Sequence, residues 1–226
     1  MPAPSEVRWQ HCLYPCGRGT VWQQRRSSTM AASHQENLAT FLDDLAAAIA
    51  PKATSDTPLA LGWQRVEASI PRGELATGTT EPARRPACIH LEASYRNLEN
   101  AGLRKLAASF QAIEPLLAWS SRAERRISDT LAENYAEATI VGDGGAISST
   151  RVEIGASILS PNTDYPNHRH PPEEVYIALS RGHWRQDDDP WVEPGIGGLI
   201  HNPANIVHAM RSGNQPLFAI WCLPLP

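Results

Sequence analysis

The chain is short of long apolar runs, of cysteine and of excess positive charge, and each shortage removes a class of protein. No stretch of its 226 residues approaches the roughly 20 consecutive apolar residues that cross a bilayer as a helix. The first 29 residues carry Arg25-Arg26 without the apolar segment that a secretory or twin-arginine signal places behind its basic residues. A soluble, cytoplasmic chain with no membrane partner is therefore expected. Cys12, Cys16, Cys88 and Cys222 are too few and too spread for a disulfide scaffold, and Cys12-x3-Cys16 has no second pair to complete a zinc ribbon. The 20 Lys and Arg against 24 Asp and Glu leave a formal net charge of −4, scattered along the chain, which disfavours nucleic acid as a partner. With 42% hydrophobic residues the chain can still bury a sizeable core without staples.

Periodicity divides the chain into three. Residues 1–29 lack an apolar repeat and read as a disordered extension. Residues 30–141 read as a helical region: Ser33-x2-Glu36 has the form of a capping box, and Leu38, Phe41, Leu42, Leu45 and Ile49 recur at helical spacing up to Pro51. A second helix is predicted over 95–113, with Leu98, Leu103, Leu106, Phe110 and Ile113 inward, and a short successor from Pro115 through Trp119. The Pro-, Gly- and Thr-rich stretch 52–87 reads as loop, with 63–70 as a short strand. From 142 to 226 the pattern changes to short β-rich runs at 152–159, 174–179, 199–201 and 217–223, the rhythm of a barrel. Asp187-Asp188-Asp189 reads as a solvated turn and lacks the oxygen ligands of a calcium site.

Five of the eight His fall between 168 and 208, and they carry the chemistry. His168-x-His170-x3-Glu174, answered by His208, is a ligand set for a divalent transition metal, because imidazole and carboxylate together suit Zn, Fe, Mn, Ni or Cu. Residues two apart on a strand face the same way, so His168 and His170 share one face, as do Glu174 and Tyr176. Pro171-Pro172 forces a corner between the pairs, and a hairpin there would turn both toward one interior point.

These residues resemble the cupin superfamily. The first cupin motif, G-x5-H-x-H-x3,4-E-x6-G, is matched at His168, His170 and Glu174, with Asn162 in place of the leading Gly and Gly182 one position late. The second, G-x5-P-x-G-x2-H-x3-N, is matched at Gly197, Pro203 and His208, with Asn205 for the inner Gly and Ser212 for the closing Asn. Asn tolerates the left-handed conformation better than most residues, so the Asn205 exchange is mild. Tyr165-x2-His168-x-His170-x3-Glu174-x-Tyr176 is similar to the cupin-type dimethylsulfoniopropionate lyases of the DddL/DddQ group. The resemblance implies a mainly β fold, a cupin barrel with an α-helical N-terminal region. It further implies one divalent metal ion (Zn, Mn or Fe) on His168, His170, Glu174 and His208, with Tyr176 and Tyr165 as catalytic candidates.

On that reading the substrate is a small zwitterion cleaved to dimethyl sulfide and acrylate, and its sulfonium end needs an aromatic face. Trp221, on a predicted strand, is the candidate for that contact by cation–π attraction. Two other functions fit the same ligand set: a cupin dioxygenase using Fe(II), and a non-catalytic cupin that binds a small ligand. A homodimer is left open as the assembly.

Overall fold

The computed structural model describes residues 19–78, 80–121 and 128–226. The chain forms two compact units, 1–34 and 35–226. Helix α1 (Gly19–Ile49) begins in the first and ends in the second. Ser33 and Glu36 thus lie inside a helix already running from Gly19, and they do not cap its start. Of the expected extension 1–29, residues 1–18, with Cys12 and Cys16, lie outside the described residues, and 19–29 are the opening turns of α1.

Within the second unit, the apolar stripe of α1 is buried as predicted: Leu38, Phe41, Leu42, Leu45 and Ile49 are all at or below 2% exposure. Helix α2 (Pro58–Ser69) replaces the predicted loop and short strand at 63–70. The cause is local. The Thr57 hydroxyl accepts from the Ala60 amide, Pro58 occupies the first turn, and Ala60, Trp63 and Val66 repeat every three residues toward the core. The predicted single helix 95–113 is two, α3 (Leu91–Asn100) and α4 (Arg104–Ile113). Gly102 sits between them at φ +80, a conformation that a helix cannot continue through. A short α5 (Asp129–Asn134), capped by the Ser128 hydroxyl on the Leu131 amide, leads into the strands.

Eight antiparallel strands follow in two sheets. The first has the order β1 (Tyr135–Val141), β2 (Val152–Leu159), β8 (Leu217–Pro224), β4 (Glu174–Ala178), β6 (Leu199–Asn202). The second has the order β3 (Asp164–His168), β7 (His208–Arg211), β5 (His183–Gln186). The sheets face each other across a core that draws Tyr176, Ile200, Leu217 and Trp221 from the first and Tyr165, Trp184 and Met210 from the second. This is the cupin barrel that the sequence led us to expect. It begins earlier than residue 142, because β1 pairs with β2 along nearly its whole length.

The cupin-motif exchanges are accommodated as their chemistry requires. Asn162 and Asn205 adopt φ 55 and 62, the left-handed region for which the motif has Gly. Ser212, at the closing Asn position, donates to the Ser160 carbonyl at 2.7 Å and accepts from the Thr163 amide at 2.8 Å, pinning the start of β3 to the end of β7.

The five-stranded sheet is buried on both faces. Its outer face, with Ile154, Ile158, Ile177, Phe218 and Ile220, packs under α1, α2, α3 and α4. Phe110 of α4 is the centre of this contact, with ring centroids 5.1 Å from Phe218, 5.8 Å from Phe41 and 6.5 Å from Trp119. Phe110→Ala should therefore lower unfolding free energy by about 3–5 kcal/mol in a urea titration. A loss below about 1 kcal/mol would show that the helical layer does not bear on the sheet.

Candidate metal centre

His168 ends β3, His208 opens β7, and the two are register partners in the three-stranded sheet, with ring centroids 4.0 Å apart. His170 follows two residues later on the connection between sheets, where its carbonyl accepts from the Asn205 amide at 3.0 Å. The Pro171-Pro172 corner is not a hairpin, because β3 and β4 belong to different sheets. It carries the chain from one wall of the barrel to the other, and the ligand candidates meet across the gap between walls.

The three imidazoles each offer a ligand atom, and these atoms all lie within 4.8 Å of one another. Each Nδ1 is engaged with a backbone carbonyl two residues away: Pro166 for His168 at 3.1 Å, Pro172 for His170 at 2.9 Å, Ile206 for His208 at 3.1 Å. A carbonyl only accepts, so Nδ1 carries the proton and a neutral ring keeps its lone pair on Nε2. His208 Nε2 is buried and makes no hydrogen bond. A buried lone pair left in this way, among imidazoles held in one tautomer, fits a transition-metal ion.

Glu174 opens β4 from the opposite wall and is 3% exposed. Its Oε2 lies 3.5 Å from His170 Nε2 and 3.3 Å from His208 Nε2, and accepts from Asn202 Nδ2 at 3.0 Å. Burial pushes the Glu174 carboxyl up; when their Nε2 atoms carry protons in place of a metal, His170 and His208 outweigh burial and hold it well below the usual carboxylate range. It is an acceptor-only, anionic group against two of the three imidazoles. The mutually close group itself contains the histidines alone.

The centre opens into a small pocket. Tyr165 and Tyr176, 5% and 3% exposed, both stand in its wall. The Tyr165 ring lies edge-on to His168 at 4.8 Å and against Tyr135 at 4.6 Å, and Tyr176 packs 6.2 Å from Trp184. Trp221 also lines the pocket, donating through Nε1 to the Ser157 hydroxyl at 3.2 Å. Trp191 is instead stacked between Arg185 and Arg211.

Sequence reasoning missed the β1 and β2 side of this pocket: Tyr135, Glu137, Glu153 and Ser157. The Tyr135 hydroxyl donates to Glu137 Oε2 at 2.6 Å. The alternation Tyr135, Glu137, Thr139 against Ala136, Ala138, Ile140 is a strand signal that could have found β1.

A cupin barrel in which three imidazoles converge, two of them lining a pocket, defines a candidate metal centre of small-molecule scale. Comparison with known proteins is more specific. The family model for dimethylsulfoniopropionate lyase matches residues 63–219, and the chain belongs to that family. It is 28% identical over 140 residues to the DddL protein of Cereibacter sphaeroides, covering 62% of this chain and 59% of that one. It is 25% identical over 96 residues to the lyase DddQ of Ruegeria pomeroyi, covering 42% and 48%. The chain thus spans about half to three-fifths of the curated relatives it matches. The crystal structure of DddQ from Ruegeria pomeroyi DSS-3 superposes with a TM-score of 0.58 at 20% identity, over 74% of this chain and 89% of that one. A second lyase structure, titled for RdDddP and RnDddQII, gives 0.61 at 18% identity over 84% and 93%. These two share the fold. Among the described residues no helix is long and apolar enough to cross a membrane.

Trp221 depends on a glycine. A Cβ at Gly155, its cross-strand partner, would come within 2.2 Å of the indole Cζ2 and 2.6 Å of the Ala138 carbonyl oxygen. Gly155→Ala should displace the indole and cost about 1–3 kcal/mol. The check is a crystal structure of the variant with its thermal melt; an unmoved Trp221 with an unchanged melt would contradict the assignment.

Proposed function

We propose that the protein is a metal-dependent carbon–sulfur lyase that cleaves dimethylsulfoniopropionate to dimethyl sulfide and acrylate. The observation that carries this reading is the convergence of three imidazoles beside a pocket walled by Tyr165 and Tyr176, in a chain of this family. His168, His170, Glu174 and His208 would hold one divalent ion, with Zn, Mn or Fe matching the donor set.

When bound, such an ion supplies Lewis-acid stabilisation to the substrate carboxylate and lowers the pKa of a phenol nearby. The remaining work falls to the side chains. A base removes the proton from the carbon next to the carboxylate, the electron pair forms the carbon–carbon double bond of acrylate, and the carbon–sulfur bond breaks with its pair leaving on neutral dimethyl sulfide. Tyr176 is the base on this reading, two residues beyond Glu174 on the same strand face. Tyr165, packed on His168, positions the substrate or serves in its place. The Trp221 indole offers its face to the sulfonium, an interaction worth about 0.5–2 kcal/mol when water is excluded.

Headspace detection of dimethyl sulfide from the purified, metal-loaded chain tests the reading. No release, or oxygen consumption in its place, would overturn it. His170→Ala, Glu174→Ala and His208→Ala should each lose bound metal by elemental analysis and nearly all turnover. Tyr176→Phe removes only a hydroxyl, so metal should remain while turnover falls by about 10²–10⁴. The parent rate should rise toward alkaline pH on a limb absent from the variant. Near-normal turnover of Tyr176→Phe with that limb intact would transfer the role of base to Tyr165.

A further inference from the structure

The groups that converge on the proposed centre sit on separate sheets: His168 and His208 on the three-stranded one, Glu174 on the five-stranded one. Their spacing is only as fixed as the spacing of the two walls. A polar connection crosses between the walls at this level. Gln186 of β5 is the register partner of His208, and Asn202 of β6 is the register partner of Glu174. Gln186 Nε2 donates to the His201 carbonyl at 2.6 Å and to Asn202 Oδ1 at 2.7 Å, and Asn202 Nδ2 donates to Glu174 Oε2 at 3.0 Å.

The polarity of this chain is forced from both ends. The His201 carbonyl can only accept, so the Gln186 amide must turn its nitrogen that way, which presents a donor to Asn202. Asn202 answers with its oxygen and is left with its nitrogen facing Glu174, an ionised acceptor. Asn202 is 1% exposed and Glu174 is 3% exposed, so a misdirected amide would face its neighbours acceptor to acceptor without water to relieve it.

We propose that Gln186 and Asn202 are positioning residues of the metal centre: a cross-sheet amide relay that orients the Glu174 carboxylate and fixes its distance from His170 and His208. The inference rests on the metal site proposed above, and it concerns metal affinity rather than turnover. Partners that orient a metal-binding carboxylate are worth about 10- to 100-fold in affinity.

Gln186→Glu is the sharpest test, because it keeps the side chain's size while removing the donor. The new carboxylate can only accept, which drives the Asn202 amide to turn its oxygen toward Glu174. The measurement is Zn2+ affinity of the full chain by competition with a chromogenic chelator, paired with the thermal melt of the metal-free protein. The relay predicts that Gln186→Glu and Asn202→Leu each weaken Zn2+ binding by at least 10-fold, with the loss of affinity in Gln186→Glu larger than its loss of metal-free stability. Binding within twofold of the parent in both variants overturns it, as does a loss of affinity matched by an equal loss of metal-free stability in both. If Asn202→Leu fails to fold, Gln186→Glu decides alone. A parent that binds Zn2+ through this relay yet releases no dimethyl sulfide would sink the lyase reading and leave the relay standing. A parent that binds no Zn2+ would remove the centre itself.

Discussion

Three imidazoles each bring a ring nitrogen within 4.8 Å of the others, and each ring's Nδ1 is engaged with a backbone carbonyl of its own chain segment. Each of those contacts spans two residues, so the tautomer is decided locally, by the turn in which each His sits. Their convergence is decided elsewhere, by the approach of two sheets. The rest of the molecule can be read as the means of holding that approach constant. Ser212 ties the ends of β3 and β7 together, the loop at Asn205 holds the His170 backbone, and the interior between the sheets is filled by aromatic and aliphatic side chains.

The helical layer has a share in this from outside. Glu173, adjacent to Glu174, faces the helices, where Arg65 of α2 grips both its oxygens and His201 lies 2.9 Å from one of them. Arg65 and His201 hold the Glu173 carboxyl below its ordinary range, against the opposing effect of burial. Gly62, one turn before Arg65, lets α2 lie so close that a Cβ there would come within 3.2 Å of both Glu173 and His201. Consecutive residues of β6, His201 and Asn202, therefore hold consecutive carboxylates, Glu173 just before β4 and Glu174 at its start. The barrel and its helices meet at the strand that presents Glu174.

What was legible in the sequence follows the range of the interactions. Strands β2, β4, β6 and β8 and the buried stripe of α1 were legible because their apolar periodicity expresses burial directly. Asn205 was legible as a glycine substitute because the backbone conformation it adopts is a property of the residue. The start of α1 was misplaced because a capping-box pattern is also a sequence that a helix interior tolerates. The cap at Thr57-Pro58 was passed over amid the prolines and glycines around it, and α2 was lost with it. The fate of Pro171-Pro172 was not local at all: a corner that turns a hairpin and one that changes sheets differ only in which strand pairs with which. Gln186 and Asn202 were invisible for the same reason, since nothing near them in the chain points to Glu174.

The central claim is that side chains from both walls of the barrel share one metal ion, and X-ray absorption at the metal edge tests it most directly. For the zinc-loaded chain the account predicts a first shell of nitrogen and oxygen at about 2.0–2.2 Å, without sulfur, and multiple scattering from three imidazoles that drops to two in His168→Ala. A shell containing sulfur, or a spectrum unaltered by that substitution, would contradict it.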